Sequence, residues 1–189
     1  MKEKTGLTKI HLGLAKREQF LQENSVPACM KRYGTVRDVA KCLPGVCDAP
    51  SLAKLKKEYS TDIVHAYIEM WILNLNEYLN LKDSMSPNQM METAILIYQD
   101  FYYFNLADIN LIFGNAKKGY YGHHYQRLDG ATIILWFYKH AEERANIAES
   151  ICIGEYERID PQISSRISNK IKDVERRMIL KIKNERDEC

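Results

Sequence analysis

No stretch of this chain approaches the roughly 20 consecutive apolar residues that a membrane-crossing helix needs. Its longest strongly apolar run, Ile133 to Tyr138, suits a buried helix segment. Met1 to Lys9 is charged and no apolar h-region follows it, so a secretory leader is not expected. Cysteine is sparse and odd in number. Cys29, Cys42, Cys47, Cys152 and Cys189 are irregularly spaced, which argues against a disulfide framework and for a reducing cytoplasm. No segment alternates apolar and polar residues for long enough to read as a strand, and there is no internal repeat or low-complexity tract. The net charge is only +2, so the molecule is not a polycation drawn to nucleic acid by charge alone.

Catalytic signatures are missing too. There is no Walker-type phosphate loop, nucleophile elbow or H-E-x-x-H. The acids Glu69, Glu77, Glu92, Asp100, Asp108, Glu142 and Glu143 do not pair on an apolar face at a catalytic spacing. A non-enzymatic role is expected, with no cofactor and no small-molecule substrate inferred.

What is present belongs to a folded protein. Of the 189 residues, 46% are apolar, and two Trp, twelve Tyr and five Phe supply core material for one domain with a tail. Charge is unevenly placed. Residues 1–60 carry twelve Lys/Arg against six Asp/Glu, and residues 61–113 carry only Lys82 against seven acids. Residues 114–128 hold Lys117, Lys118 and Arg127 with no acid, so a small basic loop leaves an acidic helical body.

The pattern predicts an all-α fold: a compact bundle of four to five principal helices, short N-terminal helices and a C-terminal amphipathic helix. Residues 1–24 read as a mobile arm with helix near Ala15 to Leu21. Ser25-Val-Pro27 opens a short helix that stops at Gly34, where a left-handed cap suits glycine. Thr35-Val-Arg-Asp38 resembles a capping box and predicts another short helix, ended by Pro44-Gly45. Ser51 caps a turn through Tyr59, and Ser60-Thr-Asp62 opens the first long helix, with Ile63, Tyr67, Met70, Trp71, Leu75, Tyr78 and Leu79 on one face. Ser86-Pro87-Asn-Gln89 is the clearest boundary: an N-cap serine, proline at the first helical position and glutamine three after the cap. Asn105-Leu-Ala-Asp108 caps the next helix, with Phe104 and Ile109 placed as a hydrophobic staple, and Gly114 and Gly119 fray its end. Asp129-Gly130 begins a helix to about Ser150, and Asp160-Pro161 begins the last. A core domain over 25–152 and a C-terminal helix over 153–189 follow.

The sharpest local feature is Ala116-Lys-Lys-Gly-Tyr-Tyr-Gly-His-His-Tyr-Gln-Arg-Leu-Asp-Gly130. Lys117, Lys118 and Arg127 can neutralise phosphates, and Tyr120, Tyr121 and Tyr125 offer flat faces for bases. His123 and His124 are secondary candidates. The alternative is a plain connection whose tyrosines close the core. A metal reading of His123-His124 fails because adjacent side chains diverge and no nearby ligand completes a shell. His140 with Glu143 is a single i,i+3 pair, short of the doubled arrangement of a di-iron bundle, so a core-satisfied or solvated histidine is the better account. Cys42-Leu-Pro-Gly-Val-Cys47 with Cys29 gives three thiols where structural zinc takes four in tighter pairs, and these read as small buried hydrophobes. In the last helix, Ile163, Ile167, Ile171, Val174 and Met178 form a narrow stripe suited either to docking on the core or to pairing with a second copy.

Tyr59-Ser-Thr-Asp-Ile, Ala66-Tyr-Ile-Glu-Met-Trp71, Met85-Ser-Pro87, Phe101-Tyr-Tyr-Phe-Asn-Leu-Ala-Asp-Ile109, Phe113-Gly-Asn-Ala-Lys-Lys-Gly-Tyr-Tyr-Gly122 and Leu128-Asp-Gly130 follow one another in an order that resembles an uncharacterised helical family of gut Bacteroidetes, their phages and integrative elements. The likeness covers about residues 26 to 150. The segment from Leu106 to Arg144 is also similar to phage replication accessory proteins of helicase-loader type. The resemblance implies a process, phage or mobile-element DNA replication or maintenance, and transfers no catalytic residue. The expected partner is DNA or a replication protein met by the loop 117–127; the alternative is a scaffold, homodimeric or virion-associated, acting through the C-terminal helix.

Overall fold

The computed structural model describes residues 3–80, 82–122, 128–159, 168–172 and 176, with side-chain placement from 13 to 154 and at 168–172 and 176 within those spans. The described residues form an all-α fold. Seven α-helices are α1 (Glu3–Glu23), α2 (Val26–Tyr33), α3 (Leu52–Glu58), α4 (Thr61–Leu79), α5 (Pro87–Phe101), α6 (Leu106–Lys117) and α7 (Gly130–Ile159), with one 3-10 turn at Val39–Cys42. The chain divides into two compact units, Met1–Ala145 and Asn146–Cys189.

Local chemistry sets most helix starts. Ser51 and Ser60 accept from the backbone N–H three residues on, and Ser86 with Gln89 closes a reciprocal capping box. Asn105 and Asp108 close a second box at the start of α6. Two expected caps are corrected. The 3-10 turn starts at Asp38, whose carboxylate accepts from Lys41 N–H, and not at Thr35. Gly34 ends α2 in the right-handed region at φ −64°, and it is needed there for closeness instead, since a Cβ would collide with the Met30 carbonyl oxygen. The expected arm is helical from Glu3 to Glu23, and Phe20 near its end is buried, its ring 4.7 Å from that of Tyr59.

Helix α6 is the axis of the first unit. Leu106 through Phe113 and Ala116 are all buried, on every side of the helix, which marks an element enclosed by others. Helix α4 covers it with Trp71, stacked on Phe113 at 5.5 Å. From α7, Ile133, Phe137, His140 and Arg144 are buried at helical spacing. Phe137 lies 5.3 Å from Phe101, 6.1 Å from Phe104 and 6.0 Å from Phe113, a ring cluster that joins α5, α6 and α7. Each of these rings is under 3% exposed; truncating one to alanine would cost about 3–5 kcal/mol.

In the second unit, α7 continues to Ile159, past the expected end near Ser150, and residues 168–172 are helical. Ile163, Ile167, Val174 and Met178 of the predicted stripe lie outside the described residues. Ile171 is described and exposed.

Candidate functional site

The basic loop begins as a well-formed helix end. Gly114 lies inside α6, and Gly119 closes the helix instead of fraying it. With φ at +76°, Gly119 sends its N–H to Ala116 O while Tyr120 N–H reaches Asn115 O, both at 3.0 Å, a Schellman arrangement that satisfies the last carbonyls. Tyr120, Tyr121 and Gly122 therefore leave α6 in a defined direction.

Their side chains and those of the lysines separate. Lys117 turns to α4: its Nζ donates to Asn74 Oδ1 and lies 5.3 Å from the Tyr78 ring centroid and 5.9 Å from that of Trp71. Burial holds its pKa below the usual lysine value, because desolvation disfavours the charged form. Tyr121 packs inward and stacks on Trp136 at 5.3 Å and 11°. Tyr120 stays exposed, with its hydroxyl donating to Glu143 at 3.0 Å, and that acceptor raises the phenol's pKa. Lys118 is fully on the surface. A cation absent from the sequence reading joins them: Lys139, one turn of α7 past Leu135, sets its Nζ 4.7 Å from the Tyr120 centroid and 5.6 Å from that of Tyr121. Its approach to a loop 18 residues earlier could be anticipated only by knowing that Tyr121 stacks on Trp136, three residues before it. His123, His124, Tyr125 and Arg127 lie outside the described residues.

A second constellation also escaped the sequence reading. Asp108, an expected helix cap, is fully buried and does more. Oδ2 accepts from Asn105 N–H at 2.9 Å, Oδ1 meets His140 Nε2 at 2.9 Å, and Arg144 Nη1 stands 3.7 Å from Oδ2. His140 is 0% and Arg144 8% exposed. Arg144 also lies over Phe104 and Tyr103, at 5.4 and 5.7 Å. Asn105 extends the network by donating to Cys42 O at 2.7 Å, tying the 3-10 turn to the start of α6. Burial, and then the charge of Asp108, push the Cys42 thiol far up, so it is an inert hydrophobe there. Arg144 reaches the wall of a 440 Å3 cleft beside Tyr102, Tyr103 and the Pro44–Pro50 segment. The charge of Asp108 balances that of Arg144, so the group reads as a polar clamp joining α6 to α7, without a free nucleophile. Among the described residues no three His, Cys, Asp or Glu side chains gather as a metal site, and no helix is long and apolar enough to cross a membrane.

Compared with known proteins, the chain matches no family model, no curated protein and no solved structure.

Proposed function

We propose that this chain is a non-enzymatic, cytoplasmic accessory protein of phage or mobile-element DNA replication or maintenance, and that it contacts DNA through the turn after α6 together with the adjoining flank of α7. The phage or mobile-element context comes from the resemblance over residues 26 to 150, and the replication process from the likeness of Leu106 to Arg144 to phage replication accessory proteins. The contact rests on one observation: Lys139 of α7 stands over Tyr120 and Tyr121, beside the turn that Lys118 begins. Among the described residues, neither ammonium is in an ion pair with a carboxylate. The turn is held by its helix-end hydrogen bonds and by the Tyr121–Trp136 stack, so little ordering entropy is lost when it binds. Tyr120, 52% exposed, is the aromatic surface left for a base.

The test is fluorescence anisotropy with labelled single- and double-stranded DNA across a salt series. Two or three phosphate contacts give a log–log slope of about −2 to −3. Lys118→Glu/Lys139→Glu should abolish the salt-dependent binding. Glu143→Gln, which keeps an acceptor for Tyr120 and removes a like charge from the surface, should tighten it by about two- to fivefold. No binding to either DNA at low salt sinks the proposal.

A second reading has its own observation. In the unit Asn146–Cys189, Ile151, Ile153 and Ile171 are 41%, 53% and 54% exposed, apolar side chains that a second copy of the chain could cover. Sedimentation of wild type and Ile171→Ser separates the two readings: a dimer that the variant dissolves, with no DNA affinity, would favour self-association as the working contact.

A further inference from the structure

One face of α6 borders a half-open groove of 320 Å3, within the size range of small-ligand sites. Its floor is unusual for a helix. Gly114 stands midway along it, and a Cβ built there meets nothing within 4 Å, so the groove is open down to the α6 backbone at residue 114. Met30, Val36 and Leu111 make the floor apolar, and Tyr78, 61% exposed, supplies aromatic surface at the mouth.

The two ends of the face differ in chemistry. At one end are Lys117 and Lys118, and among the described residues no carboxylate lines the groove. Lys117 is half-buried, yet its partners, the Asn74 amide oxygen and the rings of Trp71 and Tyr78, are all neutral. A desolvated ammonium without a counter-charge favours an anion. At the other end Asn110 is 6% exposed. Its Nδ2 donates to the Tyr33 carbonyl at 3.4 Å, and its Oδ1, closed off from solvent, has no donor among the described residues. Asn110 and Lys117 are seven residues apart on one helix face, about 10.5 Å of axial rise. That is the span of a nucleotide from base edge to phosphate. An aliphatic carboxylate would satisfy the lysines, but a flat base also fits between the apolar floor and the Tyr78 ring, with its edge at Asn110.

We propose that this groove receives a single unpaired nucleotide, its phosphate against Lys117 and Lys118 and its base over Gly114, between the Met30–Val36–Leu111 floor and Tyr78. The inference rests on the DNA reading and sharpens it. A base inside a duplex is stacked and paired and cannot enter a concave site, so the groove selects single strands, strand ends or free nucleotides.

Gly114→Leu is the decisive variant, since its side chain starts from a position where a Cβ meets nothing within 4 Å, projects into the groove, and replaces glycine with a better helix former. Three probes are titrated into wild type and variant: a 5′-phosphorylated single-stranded oligonucleotide, a blunt duplex, and dAMP followed by quenching of tryptophan. The expected result is single-strand affinity reduced about tenfold or more in Gly114→Leu, with duplex binding retained and helicity and Tm not lowered. Lys117→Met, which keeps the packed stem and removes the charge, should weaken the same probe in parallel. Quenching by dAMP that Gly114→Leu abolishes extends the site to free nucleotides. If the variant binds single strands like wild type, the groove is not the site, although the DNA surface stands. If wild type binds dAMP but neither DNA, the groove stands and the DNA function falls. If it binds none of the three, both fall.

Discussion

Replacing Asp108 with asparagine should cost about 3–5 kcal/mol of stability, the usual loss when one member of a buried ion pair is removed. The substitution is close to isosteric, and an asparagine oxygen can still accept from Asn105 N–H, so the capping box survives in part. What disappears is the charge. His140, 2.9 Å away, loses an ionic acceptor, and Arg144, only 8% exposed, becomes a buried cation with nothing opposite it. At about 2–4 °C per kcal/mol for a chain of this size, Tm should fall by roughly 6–20 °C. Urea titrations followed by far-ultraviolet circular dichroism and by the fluorescence of Trp71 and Trp136, both buried, measure it. The cycle with Arg144→Met is more searching. That change removes the stranded cation while keeping much of the packing on Phe104 and Tyr103, so the double variant should be less damaged than the two single losses added, by about 1 kcal/mol or more. Additive losses, or an Asp108→Asn cost below about 1 kcal/mol, would refute the clamp.

Two glycines should respond oppositely to alanine in thermal unfolding. Gly114→Ala gains about 0.5–1 kcal/mol because the new Cβ meets open space inside a helix, whereas Gly130→Ala loses about 1–3 kcal/mol because its Cβ would strike the Thr93 side chain and force α7 off α5. Ser86→Ala removes the capping serine of α5 and should cost about 1 kcal/mol, read as a lower urea midpoint with an unchanged slope. Burial raises the pKa of Tyr67 well above the ordinary phenol value, so its stabilising contribution is whole below about pH 10 and falls by about 1.4 kcal/mol per pH unit above that, until the folded-state phenol itself ionises. Stability curves from pH 8 to 12 should show that decline, and it should be shallower in Tyr67→Phe.

The parts of the fold that could be read from the residues are those with local causes. Ser25, Ser51, Ser60, Ser86 and Asn105 each bring an oxygen or a backbone turn to a helix start within three residues, and each is an N-cap in the structure. Longer-range causes were read less well. On α4, Ile63, Tyr67, Trp71 and Leu75 of the expected face are buried, whereas Tyr78 of that face is 61% exposed, and Val64, Ile68 and Ile72 are buried as well. A single stripe describes a helix covered on one side, and α4 is covered by more than one neighbour. Asp108 and His140 are 32 residues apart, and nothing local to either predicts the other. A signal did exist: Ile133, Phe137, His140 and Arg144 share one face of α7, and polar members of an apolar face need a buried partner. The fully buried acid of the neighbouring helix is that partner.

The candidate surface teaches a related lesson about counting charges along a chain. Lys117 and Lys118 are neighbours in sequence and both border the α6 groove, yet their surroundings differ. One is set into the angle between Trp71, Asn74 and Tyr78, and the other stands in solvent. Lys139, distant in sequence, shares the tyrosines of the turn. The basic patch is therefore Lys118 with Lys139, and reversing Lys117 would be a poor test of it. Lys117→Glu would face the Asn74 oxygen and two aromatic rings with a half-buried carboxylate, losing the hydrogen bond and turning a favourable ring contact into a repulsive one. Any loss of DNA binding in that variant would be mixed with loss of packing between α4 and α6. Reversal at 118 and 139, where neither ammonium carries the fold, changes the field at the surface and leaves the core alone. Because Lys118 also borders the α6 groove, Lys139→Glu by itself separates the turn from the groove.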